Sequence, residues 1–279
     1  MSGGPLLAVD GDNFAHRSYH ALPKSIRRAD GRPAGLLTGV GNLVVRLWEE
    51  ESPRAILVAW DTLTVPTYRH EALEEYQGGR EFDDDLLEQL ELAPLLVEAM
   101  GFAVAKGDGF EADDFLASAV EFEEQRGGRV LVASGDRDMF QLVSEQTTVL
   151  QPQRGGGALA RIDPAGVRER YEIEPGQVPD FIALRGDPSD KIPGARGVGA
   201  KTAASLLAQY GSLEAALADG RFAAEADALR LYLRVATMDR AAPLPPLGDQ
   251  TPTWDRGAAL AREWGLRRLA DRMDALSSS

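Results

Sequence analysis

Leu6-Leu7-Ala8-Val9-Asp10 is an unbroken apolar run closed by one acid, and the chain repeats that form. Ala55-Ile56-Leu57-Val58-Ala59-Trp60 ends at Asp61, and further runs lie at 102–105, 129–133 and 147–150. Short apolar runs without alternation read as strands covered on both faces. Helical spacing falls between them. Leu36, Leu37, Val40, Leu43, Val44 and Leu47 mark a helix over 35–50. Asp12-Asn13 reads as the cap of a helix over 14–22, and helices are also expected at 83–100, at 111–125 and from Asp138 through Val143. This alternation predicts an α/β core with a central, mainly parallel sheet flanked by helices. After Asp163 the pattern turns helical (163–171, 175–185, 200–209, 212–219, 223–239), with a Pro-rich connector at 243–252 and a closing helical segment at 254–276. The expected division is a core of residues 1–162 and a helical domain of residues 163–279.

The 279 residues suit one large domain, or a large and a small one. At 44% hydrophobic and 27% charged, the composition is that of a chain with a packed core. With no cysteine, disulfides, thiolate metal sites and cysteine nucleophiles are excluded. No apolar run reaches membrane-spanning length, and Met1–Pro5 lacks the features of a signal peptide. A soluble, cytoplasmic protein with no membrane partner is therefore expected, and nothing demands more than a monomer. The net charge of −14, from 44 acids and 30 bases, argues against a nucleic-acid partner unless the acids cluster around cations.

The acids do cluster in the pattern. Asp10 and Asp61 end strands, Glu111, Asp113 and Asp114 open a helix, and Asp136 and Asp138 follow the fourth strand. Taken singly, each reads more readily as a turn, cap or helix-dipole residue. Together they fall beyond the carboxyl ends of parallel strands, where such sheets bind ligands. Carboxylates held together repel unless a cation joins them, and an oxygen-only donor set suits Mg²⁺ or Mn²⁺. Asp187 and Asp190 add a pair in a later loop. Between Lys191 and Lys201 stand three bases and no acid, with glycines at 194, 197 and 199. A helix opening at Ala200 offers free N–H groups to a phosphate. There is no preceding strand and no Gly-x-x-x-x-Gly-Lys spacing, so a nucleotide P-loop does not fit. The stretch reads as a hairpin clamp on a DNA backbone, with Lys191, Gly197, Gly199, Lys201 and Thr202 as its contacts.

Five blocks occur in one order: Leu7-Ala8-Val9-Asp10-Gly11, Arg17-Ser18-Tyr19-His20-Ala21-Leu22-Pro23, Phe110-Glu111-Ala112-Asp113-Asp114, Ser134-Gly135-Asp136-Arg137-Asp138 and Gly186-Asp187-Pro188-Ser189-Asp190-Lys191-Ile192-Pro193-Gly194. In these blocks the chain resembles the 5′-nuclease family of bacterial polymerase I 5′–3′ exonuclease domains and flap endonucleases. With no polymerase segment following, it resembles a free-standing member. The resemblance implies a PIN-like core with an arch at about 66–92 and a helix-two-turn-helix at about 186–210. It implies two or three Mg²⁺ or Mn²⁺ ions held, directly or through water, by Asp10, Asp61, Glu111, Asp113, Asp136, Asp138, Asp187 and Asp190. Asp114 matches the last acid of the family's Glu-Ala-Asp-Asp block and is expected at the catalytic centre. The carbonyls of Pro193, Ala195 and Val198 are the candidates for a K⁺ ion beside a DNA phosphate. The implied activity is 5′–3′ exonuclease and structure-specific 5′-flap endonuclease at single-strand/duplex junctions, in replication and repair, alongside a separate polymerase and ligase.

The arch departs from the family's Tyr-Lys-x-x-Arg. Here the block is Tyr76-Gln77-Gly78-Gly79-Arg80, so either Arg80, Arg17 or Arg69 supplies the missing cation or the rate is lower, and Gln77→Lys is expected to raise turnover if that charge limits the rate. Arg17 and Arg80 are expected on phosphate oxygens, Arg69 on DNA, and Phe14, Tyr19 and His20 on bases near the cut. Two other readings stay open: a PIN-type ribonuclease, and a catalytically weak DNA-junction binder. Residues 66–92 carry nine acids against two bases and read as a mobile helical insertion. Setting aside those nine and the nine site acids brings the remaining chain near neutrality.

Overall fold

The computed structural model describes residues 3–63, 65–78, 82–153 and 157–278. Six strands, β1 (Leu6–Asp10), β2 (Ala55–Ala59), β3 (Ala103–Ala105), β4 (Val130–Ala133), β5 (Thr147–Gln151) and β6 (Ala160–Ile162), form one sheet in the order β3-β2-β1-β4-β5-β6. All neighbours are parallel except β5 and β6. The helices are α1 (Gly11–Ala21), α2 (Gly35–Glu51), α3 (Tyr68–Ala72), α4 (Asp84–Ala99), α5 (Ala112–Glu124), α6 (Pro164–Tyr171), α7 (Val178–Arg185), α8 (Ala200–Tyr210), α9 (Leu213–Ala218), α10 (Ala226–Ala236), α11 (Trp254–Glu263) and α12 (Arg267–Ser277).

Strand periodicity sorts the core into two layers. Leu6 and Ala8 of β1 face one way with Leu57 and Val132, against Phe115 and Leu116 of α5. Leu7 and Val9 face the other way with Ile56, Val58 and Leu131, against Leu36 and Leu37 of α2 and Leu96 of α4. Successive strand residues point to opposite faces, so an all-apolar run is what a sheet with helices on both sides demands. Burying each such Leu or Val contributes roughly 1.5–3 kcal/mol. The helices α11 and α12, at the far end of the chain, pack through Trp254, Leu269 and Met273 into the same layer as α2 and α4. The helices α7, α8 and α10 pack into the layer of α5.

Several boundaries differ from the sequence reading. The first helix begins at Gly11 because Asp10, not Asp12 or Asn13, is its cap: the Asn13 amide donates to the Asp10 carboxylate at 3.0 Å. Gly11 is required there, since a Cβ would stand 2.6 Å from the Trp60 ring and 2.7 Å from the Ala59 carbonyl oxygen. The helix expected through Val143 is a 3-10 turn, Asp138–Leu142. The closing segment is two helices, and β6 adds an antiparallel edge that the sequence reading lacks. Among its described residues, the insertion expected at 66–92 contains only the short helix α3 before α4. Its first half is anchored: Thr67, Arg69 and Tyr76 are all buried.

Candidate metal centre

The strand order reverses direction between β1 and β4, and open parallel sheets bind ligands at such a switch point. Asp10 leaves β1 there and Ser134-Gly135-Asp136 leaves β4. The Ser134 hydroxyl donates to Asp10 at 2.6 Å. Asn13 joins the two loops, donating its amide to Asp136 at 2.9 Å and accepting from the Gly135 N–H at 3.1 Å. From the β2 side, the Asp61 N–H donates to Asp12 at 2.7 Å, and the Asp61 carboxylate accepts from the Ala112 N–H at 2.8 Å. That last contact seats the N-terminus of α5 and with it Glu111 and Asp113.

The result is one cavity of about 1140 Å³ whose walls include Asp10, Asp61, Glu111, Asp113, Asp136, Asp138, Asp187 and Asp190. All eight acids expected at a metal site line it. Asp12, read from sequence only as a cap, lines it too. Burial, reinforced by Asp136 and Asp61 and partly offset by the Ser134 and Asn13 hydrogen bonds, pushes Asp10 up to about 7. Burial also lifts Glu111 to about 7, against the pull of Arg69. Asp12, Asp113 and Asp138 are raised well above the ordinary carboxylate value, first by burial and then by acidic neighbours: Asp61 at Asp12, Asp138 and Asp10 at Asp113, and Asp136 and Asp190 at Asp138. Acids crowded this way fit a divalent cation, which would relieve their repulsion. Among the described residues no three of them converge closely enough to hold one ion directly, so water would complete each shell, as Mg²⁺ commonly requires.

Glu111 is held from the arch side. It accepts from the Thr67 hydroxyl at 2.9 Å and the Tyr76 hydroxyl at 3.0 Å. Gln77 extends this chain: its amide donates to the Tyr76 oxygen and to the Asp190 carboxylate, both at 3.1 Å. Position 77 thus bridges Glu111 of the sheet layer and Asp190 of the loop after α7. Thr67, Tyr76 and Asn13 were missed in sequence because their roles depend on contacts across the fold.

Other expected residues lie elsewhere. Asp114 is fully buried and does not line the cavity. It is one residue from Asp113 on α5, and adjacent helical residues point about 100° apart. Arg69 is not free for DNA: it is buried, donates to both Asp114 oxygens at 2.8 and 2.7 Å, lies 3.2 Å from Glu111, and donates to the Val235 carbonyl at 3.0 Å. Phe14 is buried in the α2 layer and cannot stack on a base. Tyr19 donates to Asp83 at 2.7 Å, so its hydroxyl is committed, and burial with that bond pushes it up to about 12. His20 is exposed beside the Tyr19 ring. Arg17 is exposed and lines the cavity. Arg80 lies outside the described residues. Lys191, Gly197, Gly199, Lys201 and Thr202 are exposed, and Gly199 caps α8. The Ala195 carbonyl accepts from the Val198 N–H at 3.1 Å. Gly194 stands at φ 75°, and a Cβ on it would lie 2.4 Å from the Gly186 nitrogen, so this crossing takes only glycine.

A family model for the 5′–3′ exonuclease N-terminal resolvase-like domain matches residues 5–172, and one for the 5′–3′ exonuclease C-terminal SAM fold matches 173–253. DNA polymerase I of Mycobacterium bovis is 38% identical over 239 residues, 84% of this chain and 26% of the polymerase. The thermostable DNA polymerase I of Thermus thermophilus is 40% identical over 212 residues, 76% of this chain and 25% of that protein. The chain therefore spans about a quarter of the length of these relatives. Among solved structures, a bacteriophage T5 flap endonuclease crystallised with DNA and metal ions superposes with a TM-score of 0.70 at 19% identity, covering 98% of this chain and 99% of its own. The catalytic core of Rad2 bound to DNA gives 0.63 at 13% identity, covering 97% and 91%. The expected fold class, a PIN-like sheet domain with a helical C-terminal part, agrees with both.

Proposed function

Because the chain belongs to the 5′–3′ exonuclease family, we propose that it hydrolyses DNA phosphodiesters from 5′ ends and at 5′ flaps, using divalent cations in the acid-walled cavity. The observation that carries this reading is the convergence of eight oxygen-donor acids, from five separate stretches of chain, on one cavity at the sheet's switch point. Asp10, Asp113, Asp136 and Asp138 would hold cation on the core side, with Asp61 and Glu111 beside them. Asp187 and Asp190 would hold it from the loop after α7. Bound there, Mg²⁺ or Mn²⁺ supplies an activated water and stabilises the leaving oxygen.

The chain's own groups do the rest. Thr67, Tyr76 and Gln77 orient Glu111 and Asp190. Arg17 meets a phosphate oxygen at the cavity mouth. The exposed start of α8, with Lys201 and Thr202, takes a duplex phosphate on its free N–H groups. A K⁺ ion on the carbonyls of Pro193, Ala195 and Val198 would reinforce that grip. In this division residues 1–162 carry six of the eight cavity acids, the loop after α7 adds Asp187 and Asp190, and the helices α7 and α8 that flank that loop grip duplex. The setting is replication and repair, with a polymerase and a ligase acting on the same junction. Among the described residues no helix is long and apolar enough to cross a membrane.

The test is a 5′-labelled flap duplex incubated with Mg²⁺, Mn²⁺ or EDTA, with single-stranded RNA in parallel. Metal-dependent cleavage near the junction is expected. Cleavage of the RNA alone would favour the ribonuclease reading, and binding without cleavage under any metal would favour the junction binder.

A further inference from the structure

We infer that Arg137 contacts a DNA phosphate at the cavity, taking the cationic role that position 77 does not fill; this rests on the nuclease reading. Among the described residues three arginines line the cavity: Arg17, Arg137 and Arg185. Arg185 is engaged, with its guanidinium 3.2 Å from Asp187 and its Nε donating to the Gly186 carbonyl at 2.9 Å. Arg69 is consumed by Asp114 and Glu111, and Gln77 is neutral and bonded to Asp190. Arg137 is exposed and, among the described residues, forms no ion pair or hydrogen bond through its side chain, although it stands between two acids.

The local geometry explains that freedom. Asp138 opens the 3-10 turn, and its carboxylate accepts from the Met139 N–H at 2.9 Å. Asp136 accepts from Asn13 at 2.9 Å. Both neighbouring carboxylates are thus turned to other partners. Arg137 also borders a second, small hollow formed with Tyr171, Phe181 and Ile182, beside Arg185 and Asp187. It therefore sits at the seam between the acids of the sheet and the loop that leads to α8. A strand running from the acids toward α8 crosses that seam. A guanidinium presents a planar fork of donors matched to phosphate oxygens, and is more weakly hydrated than an ammonium.

Arg137→Gln and Arg137→Lys test this, with Arg126→Gln as a remote, exposed control. Flap binding is read by fluorescence anisotropy with Ca²⁺ in place of Mg²⁺, from about 50 to 200 mM KCl, and cleavage by single-turnover rates in Mg²⁺. Arg137→Gln should lower the slope of log affinity against log salt by about 1 and weaken binding about five- to tenfold. Arg137→Lys should keep the slope and lose cleavage rate, because the charge stays and the fork does not. Arg126→Gln should match wild type. A wild-type slope together with a wild-type rate in Arg137→Gln overturns the inference. So does a fall of several degrees in its thermal midpoint, because that would show a structural tie. A wild type that binds the flap and never cleaves it overturns the nuclease reading instead, and leaves the slope comparison standing.

Discussion

Replacing Arg69 with Met should destabilise the fold rather than merely weaken DNA binding. Arg69 is only 3% exposed and Asp114 is fully buried. Their two hydrogen bonds of 2.8 and 2.7 Å join the arch segment to α5, and the bond to the Val235 carbonyl ties both to α10. Asp114 would keep the N–H groups of Glu111 and Asp239, at 3.1 and 2.8 Å, but lose its compensating charge. Removing one partner of a buried pair costs about 3–5 kcal/mol, a fall in thermal midpoint on the order of 10 °C. The assay is chemical unfolding of wild type, Arg69→Met, Asp114→Asn and the double variant in metal-free buffer. The double variant should cost less than the two single changes combined, by about 2 kcal/mol. The loss should also be nearly independent of salt, because the pair is shielded from mobile ions. A midpoint within a degree or two of wild type, with DNA affinity reduced, would refute this and return Arg69 to the DNA surface.

Two further outcomes follow from the acid cluster. Asp10 and Glu111 stand near 7 in the fold, against ordinary values of 3.8 and 4.5. Between those limits the folded chain binds more protons than the unfolded one. The stability these two groups contribute in metal-free buffer should therefore be lost as pH rises from about 5 through 7, by about 2–3 kcal/mol for each group taken alone. Saturating Mg²⁺ should flatten that fall; urea midpoints from about pH 5 to 8 check it, and a metal-free stability that rises with pH contradicts it. The second outcome concerns Gln77→Lys. An ammonium placed against Asp190 competes with a cation there, so the Mg²⁺ concentration for half-maximal cleavage should rise severalfold. Higher turnover at saturating Mg²⁺ would show instead that the missing arch charge limits the rate.

Much of the core was legible because its signal is local. The apolar runs at 6–9, 55–60 and 130–133 carry their strand character within themselves, and the acids at or just beyond their ends fall at the carboxyl edge by topology alone. The edge strand β6 was not legible. It is three residues long, Ala160-Arg161-Ile162, and too short for a period to register. The roles of Asp113 and Asp114 were not separable either, because their difference lies in which face of α5 each occupies. Arg69 and Phe14 were misplaced for a related reason. Residue type announces a cation or an aromatic ring, while burial is decided by α10 in one case and α2 in the other, far away in sequence. In sequence Gln77 reads as a loss of charge, and its bridge between Tyr76 and Asp190 emerges only when the arch and the 187–190 loop meet.

The most direct measurement is cleavage of a 5′-flap duplex by wild type and Asp113→Asn, side by side at saturating Mg²⁺, with flap binding measured on the same preparations. Asp113 lines the cavity among Asp138, Asp10, Asp136 and Asp61. Its amide is close to isosteric and removes one negative charge from the site. Binding at or above the wild-type level, with cleavage slower by at least about a hundredfold, is the expected result. Equal cleavage rates would show that these carboxylates do not carry the reaction.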